Sequence, residues 1–316
     1  MKIVSSLSDA ALDQPCVASI GNFDGLHVGH RAILQTVIRR ARELGLRSAA
    51  MTFEPHPIQV LAPDKAPQRI STLSQKVELI KQAGIDLLFV VRFDAEFAKL
   101  SPEDFVRHYL IEGLRARSIC VGSNFNFGHR GSGTVATLKQ WHDRFEVIEV
   151  PSVSVRSVVA SSTAIRRGVA QGAVSRACRL LGRWIEVEGR IVSGAGRGRQ
   201  ETVPTLNLEA ENELIPARGV YVSRISLDGG PYVESVTNVG VRPTFGENQL
   251  TIETFMLSAR IAVQPRAARL QFLHRLRDER RFDSPEALRT QISRDVEKTL
   301  KFFRLMRQIG HVRAPH

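Results

Sequence analysis

The spacing of apolar residues changes character once along the chain, and that single change limits the folds open to it. Through the first half, short apolar runs at residues 16–20, 47–53, 87–93, 118–121 and 146–150 alternate with helical periodicity at 28–44, 73–83, 102–112 and 135–144. Strands separated by helices are joined by crossovers, which predicts a parallel, Rossmann-like sheet with helices on both faces. Two more helical stretches are expected after Ser161, one through Ile165 and one over 174–181. Past Gly182 the helices stop, and residues 185–192, 220–227, 232–239, 251–257 and 269–276 read as strands parted by Gly, Pro and Asn turns. Consecutive strands of this kind predict an antiparallel β-barrel. A closing helix is expected from an N-cap at Ser284, with Pro285 in its first turn, to about residue 306. The fold class is therefore α/β followed by β, as two domains, 1–182 and 183–316.

Length agrees with two domains, since 316 residues exceed one average domain. The longest apolar run, 87–91, is far below the roughly 18 residues of a membrane-spanning helix. The first residues hold no sustained apolar segment and do not read as a secretion signal. Cys16, Cys120 and Cys178 are widely spaced and form no CxxC pair, so neither a disulfide frame nor a zinc site follows. A soluble, cytoplasmic protein is expected, with no membrane partner. The net charge of +12 is uneven: residues 151–182 carry five arginines and no acid. There is no lysine block and no basic-aromatic interleaving, so nucleic acid is not an expected partner.

The richest chemistry lies in GNFDGLHVGH, residues 21–30, between a buried strand and a helix. In an open α/β sheet that junction is where phosphates bind. Gly21 and Gly25 permit a tight turn and close backbone approach. His27 and His30, three apart, share one face of the first helical turn, where two imidazoles can stabilise charge building on phosphorus. The same string also fits a helix start whose histidines only cap it.

The segment resembles the HxGH signature of the nucleotidyltransferase superfamily, and its fuller form resembles the prokaryotic bifunctional riboflavin kinase/FAD synthetase family. TFEPHP (52–57), VGSNFNFGHRGSG (121–133) and SSTAIR (161–166) match further motifs of that family in order. The resemblance implies adenylyl transfer from ATP to FMN, with His27 and His30 catalytic. It places Gly21, Phe23, Asp24, Gly25, Asn124, Ser162, Thr163 and Arg166 on ATP and its phosphates. It places Phe53, Pro55, His56, Phe125 and Phe127 on the flavin. Local readings stay open beside these: TFEPHP as a stiff turn, Phe125 and Phe127 as core, and Ser161 or Ser162 as a helix cap.

The second constellation is GRIVSGAGRGRQETVPTLNL, 189–208. A Gly/Arg loop alone reads as a flexible turn, and no GK[ST] follows to make it a Walker A loop. Riboflavin kinases carry PTAN after such a loop. This chain has PTLN, with Leu206 in place of Ala, and Thr202-Val203 where Gly-Phe is usual. The resemblance implies that Gly196, Gly198 and Arg199 meet phosphates, that Thr205 and Asn207 hold Mg²⁺, and that Phe282 walls the flavin. TNVGVRPTF (237–245) is similar to the NxGxRPTF stretch of the family, and Glu253 beyond it is the implied general base. From the strand pattern alone, Glu253 is either an outward solvated residue or an inward catalytic one.

The resemblance thus implies an enzyme that phosphorylates riboflavin to FMN and adenylylates FMN to FAD, using ATP and Mg²⁺. Riboflavin, FMN and ATP are its expected partners, and the chain is expected to be a monomer or weak homo-oligomer. Two other readings remain: a single-activity nucleotidyltransferase of different specificity, and a nucleic-acid binder, because HxGH also occurs in tRNA-charging enzymes. No anticodon-binding, zinc or helix-turn-helix module accompanies it.

Overall fold

In a computed structural model of the chain, the structure describes residues 1–8, 14–192, 205–243, 248–257 and 265–310. It divides into two compact units, Met1–Ser161 and Ser162–His316.

In the first unit, six strands of the described residues form one parallel sheet. They are β1 (Lys2–Val4), β2 (Cys16–Ile20), β3 (Arg47–Glu54), β4 (Leu87–Arg92), β5 (Ala116–Gly122) and, after two short strands β6 (Asn126–Phe127) and β7 (Gly133–Thr134), β8 (Glu146–Val150). Their order is β1-β4-β3-β2-β5-β8, every neighbouring pair parallel. Period-two alternation sends side chains to opposite faces. Ala18, Met51, Phe89 and Ile119 enter one apolar cluster, while Val17, Ala50, Leu88 and Cys120 enter another. On the second face lie α1 (Val28–Leu44), through Leu34, Val37 and Ala41, and, after the short α2 (Pro57–Leu61), α3 (Leu73–Gln82), through Ile80. On the first lie α4 (Pro102–Phe105), its π-helical continuation Val106–Gly113, and α5 (Val135–Lys139). The expected parallel sheet with helices on both faces is what the chain forms.

Two helices depart from expectation. The stretch over 102–112 is α-helical only to Phe105 and then winds as a π-helix to Gly113. The helix expected to reach 144 ends at Lys139. Beyond it the Trp141 and Arg144 N–H groups bond to Leu138 and Trp141, at 3.0 and 2.9 Å. These tighter turns bring Trp141 against the core and bury Phe145. A short hairpin, β9 (Ser154–Val155) with β10 (Val158–Val159), closes the unit.

The second unit opens with α6 (Ser162–Ala170) and α7 (Val174–Leu181), and α7 packs on the barrel that follows. The barrel is closed and antiparallel, in the order β11 (Ile185–Val192), β12 (Leu206–Ala210), β15 (Asn248–Met256), β14 (Val233–Pro243), β13 (Gly219–Leu227), β16 (Ala267–Arg277). Among the described residues its interior is apolar apart from a string of hydroxyls: Ser223 bonds Ser235 at 2.8 Å and Thr237 at 2.7 Å, and Thr237 bonds Thr254 at 2.9 Å. Each buried oxygen thereby has a partner. The closing helix α8 (Pro285–Gln308) starts as expected, Ser284 capping the Ala287 N–H at 3.2 Å. Phe303 joins Val222 and Leu273, and Asp295 holds Arg277 at 2.8 and 2.9 Å. Of the strands in the sheet and the barrel, two escaped the sequence reading, β1 because it is three residues long and β12 because it begins inside the PTLN motif; the two-residue strands β6, β7, β9 and β10 are too short to leave a pattern.

Candidate functional sites

The chain leaves β2 through α1 toward β3 on one side, while β5 lies on the other side of β2. The crevice beyond the carboxyl ends of β2 and β5 is thus the switch point of the sheet, where ligands of open α/β sheets bind. Residues 21–27 build one wall of it. A Cβ on Gly21 would stand 3.2 Å from the Phe23 ring, and one on Gly25 would stand 2.9 Å from Ile70. Phe23, Gly25 and Leu26 have φ of 47°, 75° and 32°, conformations that cost energy in non-glycine residues and persist only under packing. Packing is supplied here, because Phe23 and Leu26 are buried.

Asp24 anchors this turn. Its carboxylate is buried and accepts the Ile70 N–H at 3.0 and 3.2 Å and the Ser71 N–H at 3.1 Å. The Thr52 hydroxyl donates to the Asn22 carbonyl at 3.2 Å, tying the turn to β3.

His27 is the N-cap of α1, its Nδ1 accepting the His30 N–H at 3.3 Å. That bond leaves Nε2 as the nitrogen able to donate from a neutral ring. The two imidazoles stack with centroids 3.7 Å apart, and the Phe23 ring meets His30 edge-on at 5.4 Å. Gly29 makes the stack possible, since a Cβ there would lie 3.1 Å from Cε1 and Nδ1 of His27. The first turn of α1 carries no acid, so the positive end of the helix dipole is left for an anion.

The other expected residues take varied places. Asn124 is exposed just beyond β5, its Oδ1 3.4 Å from where a Gly122 Cβ would be. Phe53 packs on Phe93 and Phe97 at 5.8 and 5.6 Å and stays partly exposed. Phe125 stacks on Phe127 at 5.5 Å, but Phe127 itself is buried among Phe105, Phe125 and Gly133 and is a core residue. His56 is buried and caps α2, accepting the Ile58 N–H at 3.3 Å, while Pro55 before it is exposed. Ser162, Thr163 and Arg166 open α6 in the second unit.

Sequence reading passed over Arg69 and Lys76. Arg69 pairs with Glu54 at 3.0 Å, and Lys76 is buried beneath Thr52. Lys76 had a signal: it occupies an inward position of a stripe otherwise formed by Val77 and Ile80. Burial pushes its ammonium below the usual lysine range, with Glu54 and then Asp24 drawing it back up. Burial pushes the thiols of Cys16, Cys120 and Cys178 up to about 12, which leaves them unsuited to nucleophilic work.

On the barrel, strand register gathers a second set. Asn207 of β12 stands opposite Glu253 of β15, and Glu253 stands opposite Asn238 of β14. Their neighbours Leu206, Thr237 and Thr254 are buried inside the barrel, so the row Asn207, Glu253, Asn238 lies on its outer face. Neither alternative for Glu253 holds as stated: the inward orientation is not the one formed, yet the outward side chain is half-buried in a row with two amides rather than freely solvated. Thr205, two residues before Asn207, is exposed on the same side. A Cβ on Gly240 would lie 2.3 Å from the Glu279 carboxylate and 3.1 Å from Nδ2 of Asn238, so Glu279 adjoins the row. Asn238 and Glu279 were not singled out from sequence. Phe282 is covered by Arg280 at 4.7 Å and Arg277 at 5.7 Å. Gly194, Gly196, Gly198, Arg199, Pro204 and Phe245 lie outside the described residues. Among the described residues no cluster of three or more His, Cys, Asp or Glu forms a metal cage. The oxygens of Thr205 and Asn207 fit Mg²⁺, which takes few protein ligands and completes its shell with phosphates and water.

Comparison with known proteins gives one family for each half of the chain. A family model for FAD synthetase matches residues 9–164 and one for riboflavin kinase matches residues 181–303. The bifunctional riboflavin kinase/FMN adenylyltransferase of Escherichia coli K12 is 33% identical over 309 residues, covering 96% of this chain and 99% of that protein. The protein of the same name from Bacillus subtilis is 34% identical over 298 residues, covering 92% and 94%. A solved structure described as a macrolide-efflux protein from Streptococcus pneumoniae superposes with a TM-score of 0.86 at 28% identity, covering 94% of this chain and 98% of that one. Among the described residues of this chain no helix is long and apolar enough to cross a membrane.

Proposed function

The chain belongs to the bifunctional riboflavin kinase/FMN adenylyltransferase family, and from that premise we propose how its two sites divide the work. It phosphorylates riboflavin with ATP to give FMN, and it transfers the adenylyl group of a second ATP to FMN, giving FAD and pyrophosphate. We assign adenylyl transfer to residues 1–182 and the kinase to 183–316. On this assignment the SSTAIR motif, 161–166, serves the first reaction.

In adenylyl transfer, an oxygen of the FMN phosphate attacks the α-phosphorus of ATP and pyrophosphate leaves. The nucleophile is already anionic, so the chain supplies position and charge rather than a base. His27 and His30 donate to the phosphate oxygens as charge accumulates there, at the positive end of α1. Gly21, Phe23 and Gly25 shape the turn, Asp24 holds it against residues 70–71, and Asn124 faces the nucleotide. Phe53, Pro55 and Phe125 flank the flavin. Ser162, Thr163 and Arg166 are assigned to phosphates by their motif, as are Gly196, Gly198 and Arg199 for the kinase. The stack of His27 on His30 at the switch point of the sheet is the observation that carries this reading.

In the kinase reaction the nucleophile is the terminal hydroxyl of the ribityl chain, a poor one until its proton is removed. Glu253 takes that proton as the oxygen attacks the γ-phosphorus, and ADP leaves. Thr205 and Asn207 would hold Mg²⁺, which when bound neutralises the phosphate charge. Asn207 and Asn238, flanking Glu253, fix the carboxylate between them. Phe282 is assigned to the flavin. We place the enzyme in the cytoplasm, in keeping with its three free thiols, as a monomer or weak homo-oligomer that works on small molecules rather than nucleic acid.

The test is to incubate the purified chain with riboflavin, ATP and MgCl₂ and to separate FMN and FAD by chromatography. His30→Ala should accumulate FMN without FAD. Glu253→Ala should leave riboflavin unconverted yet turn supplied FMN into FAD. FAD formed at the full rate by His30→Ala would overturn the assignment of the first site.

A further inference from the structure

A buried lysine is expensive unless it is paired, and Lys76 is 5% exposed in the face of α3 that packs on the sheet. Its Nζ reaches the Thr52 hydroxyl at 3.5 Å, and that hydroxyl gives its one proton to the Asn22 carbonyl at 3.2 Å. The relay therefore ends on the turn that leads into His27. The charges around the ammonium are Glu54 at the end of β3, Asp24 in that turn, and Arg69 in the segment before α3. Two acids and two bases make the group formally neutral, and the acids are tied to the segment before α3: Asp24 to residues 70 and 71, Glu54 to Arg69.

We propose that Lys76 is a positioning residue for adenylyl transfer, holding the His27 turn through Thr52 and Asn22 at a cost to the stability of the fold. The proposal rests on the reading that the first unit adenylylates FMN. The sign of the cost follows from burial. The folded chain favours the ammonium less than the unfolded chain does, so the unfolded state binds more protons between the two pKa values. Stability contributed by this group rises with pH through that window, and below it the charged side chain works against folding. A residue serving the fold alone would do better here as Met or Leu. What Lys76 adds is a donor to Thr52 and a charge between Asp24 and Glu54.

Lys76→Met removes both while keeping the shape. Its melting temperature should equal or exceed that of the wild type. Its kcat for FMN adenylylation should fall by about 10-fold or more, as misplacement of a catalytic group by a fraction of an ångström requires. KM for ATP should move less than kcat, and riboflavin phosphorylation by the same preparation should be unchanged. Thr52→Val, which cuts the relay at its middle, should lower kcat similarly. The double variant should be no slower than the slower single one, because both break one chain of contacts. A Lys76→Met protein with the kcat of the wild type overturns the proposal, as does one whose lost activity tracks a lowered melting temperature. Single effects that multiply in the double variant overturn it too. A wild-type chain that makes no FAD from FMN and ATP overturns the underlying reading and this proposal together.

Discussion

The glycine between the two histidines offers the sharpest separation of fold from chemistry. In Gly29→Ala the new Cβ would stand 3.1 Å from both Cε1 and Nδ1 of His27 and 3.7 Å from the Ala160 carbonyl. Ordinary carbon contacts lie at about 3.5–4.0 Å, so the ring must give by roughly 0.4 Å. It has little room to do so, being 6% exposed and stacked 3.7 Å from His30. Alanine gains about 1 kcal/mol of helix propensity over glycine. Weakening the cap bond that the His30 N–H donates to His27 Nδ1 costs about 1 kcal/mol in return. The two nearly cancel, and the melting temperature should stay within a few degrees. The chemistry has no such compensation. If 1 Å of misplacement costs about 100-fold, roughly 0.4 Å costs about 5- to 10-fold in kcat for FAD formation. The assay is the initial rate of FAD formation from FMN and ATP, read by chromatography, beside a circular-dichroism melt and the riboflavin kinase rate. An unchanged FAD rate would refute the packing argument. Loss of both activities would show that the substitution unfolds the chain instead.

Three further substitutions test other parts of the structure. Glu253→Gln keeps the shape of the barrel row but cannot take a proton, so FMN formation should fall by about 100- to 10,000-fold while supplied FMN is still adenylylated. Asp24→Ala strands the Ile70 and Ser71 N–H groups, at about 2–4 kcal/mol, and should lower the transition of the first unit by about 6–12 °C in calorimetry. Asp295→Ala leaves Arg277 without the buried carboxylate that holds it at 2.8 Å, at about 3–5 kcal/mol. Urea titration should show the barrel weakened, and replacing Arg277 and Asp295 together by Met and Leu should recover most of the loss.

Much of this protein was legible in residue order because the signals are local. A helix wants apolar residues at 3.6-residue spacing and a strand at two, and the switch between those periods near residue 182 separates the parallel sheet from the barrel. The start of α8 was legible for the same reason, since Ser284 and Pro285 act within one turn. The junction holding His27 and His30 could be placed because a glycine turn between strand and helix has few geometries. Periodicity, however, says that a strand has two faces without saying which is inside. Glu253 therefore stayed ambiguous until the register of β15 set it outward beside Asn207 and Asn238, partners 46 and 15 residues away in the chain. Only packing showed that Phe127 belongs to the core, that Asp24 spends its carboxylate on residues 70 and 71, and that Lys76 lies beneath Thr52. Those outcomes depend on which distant backbone arrives at each side chain, a quantity that exists only once the sheet and barrel have closed.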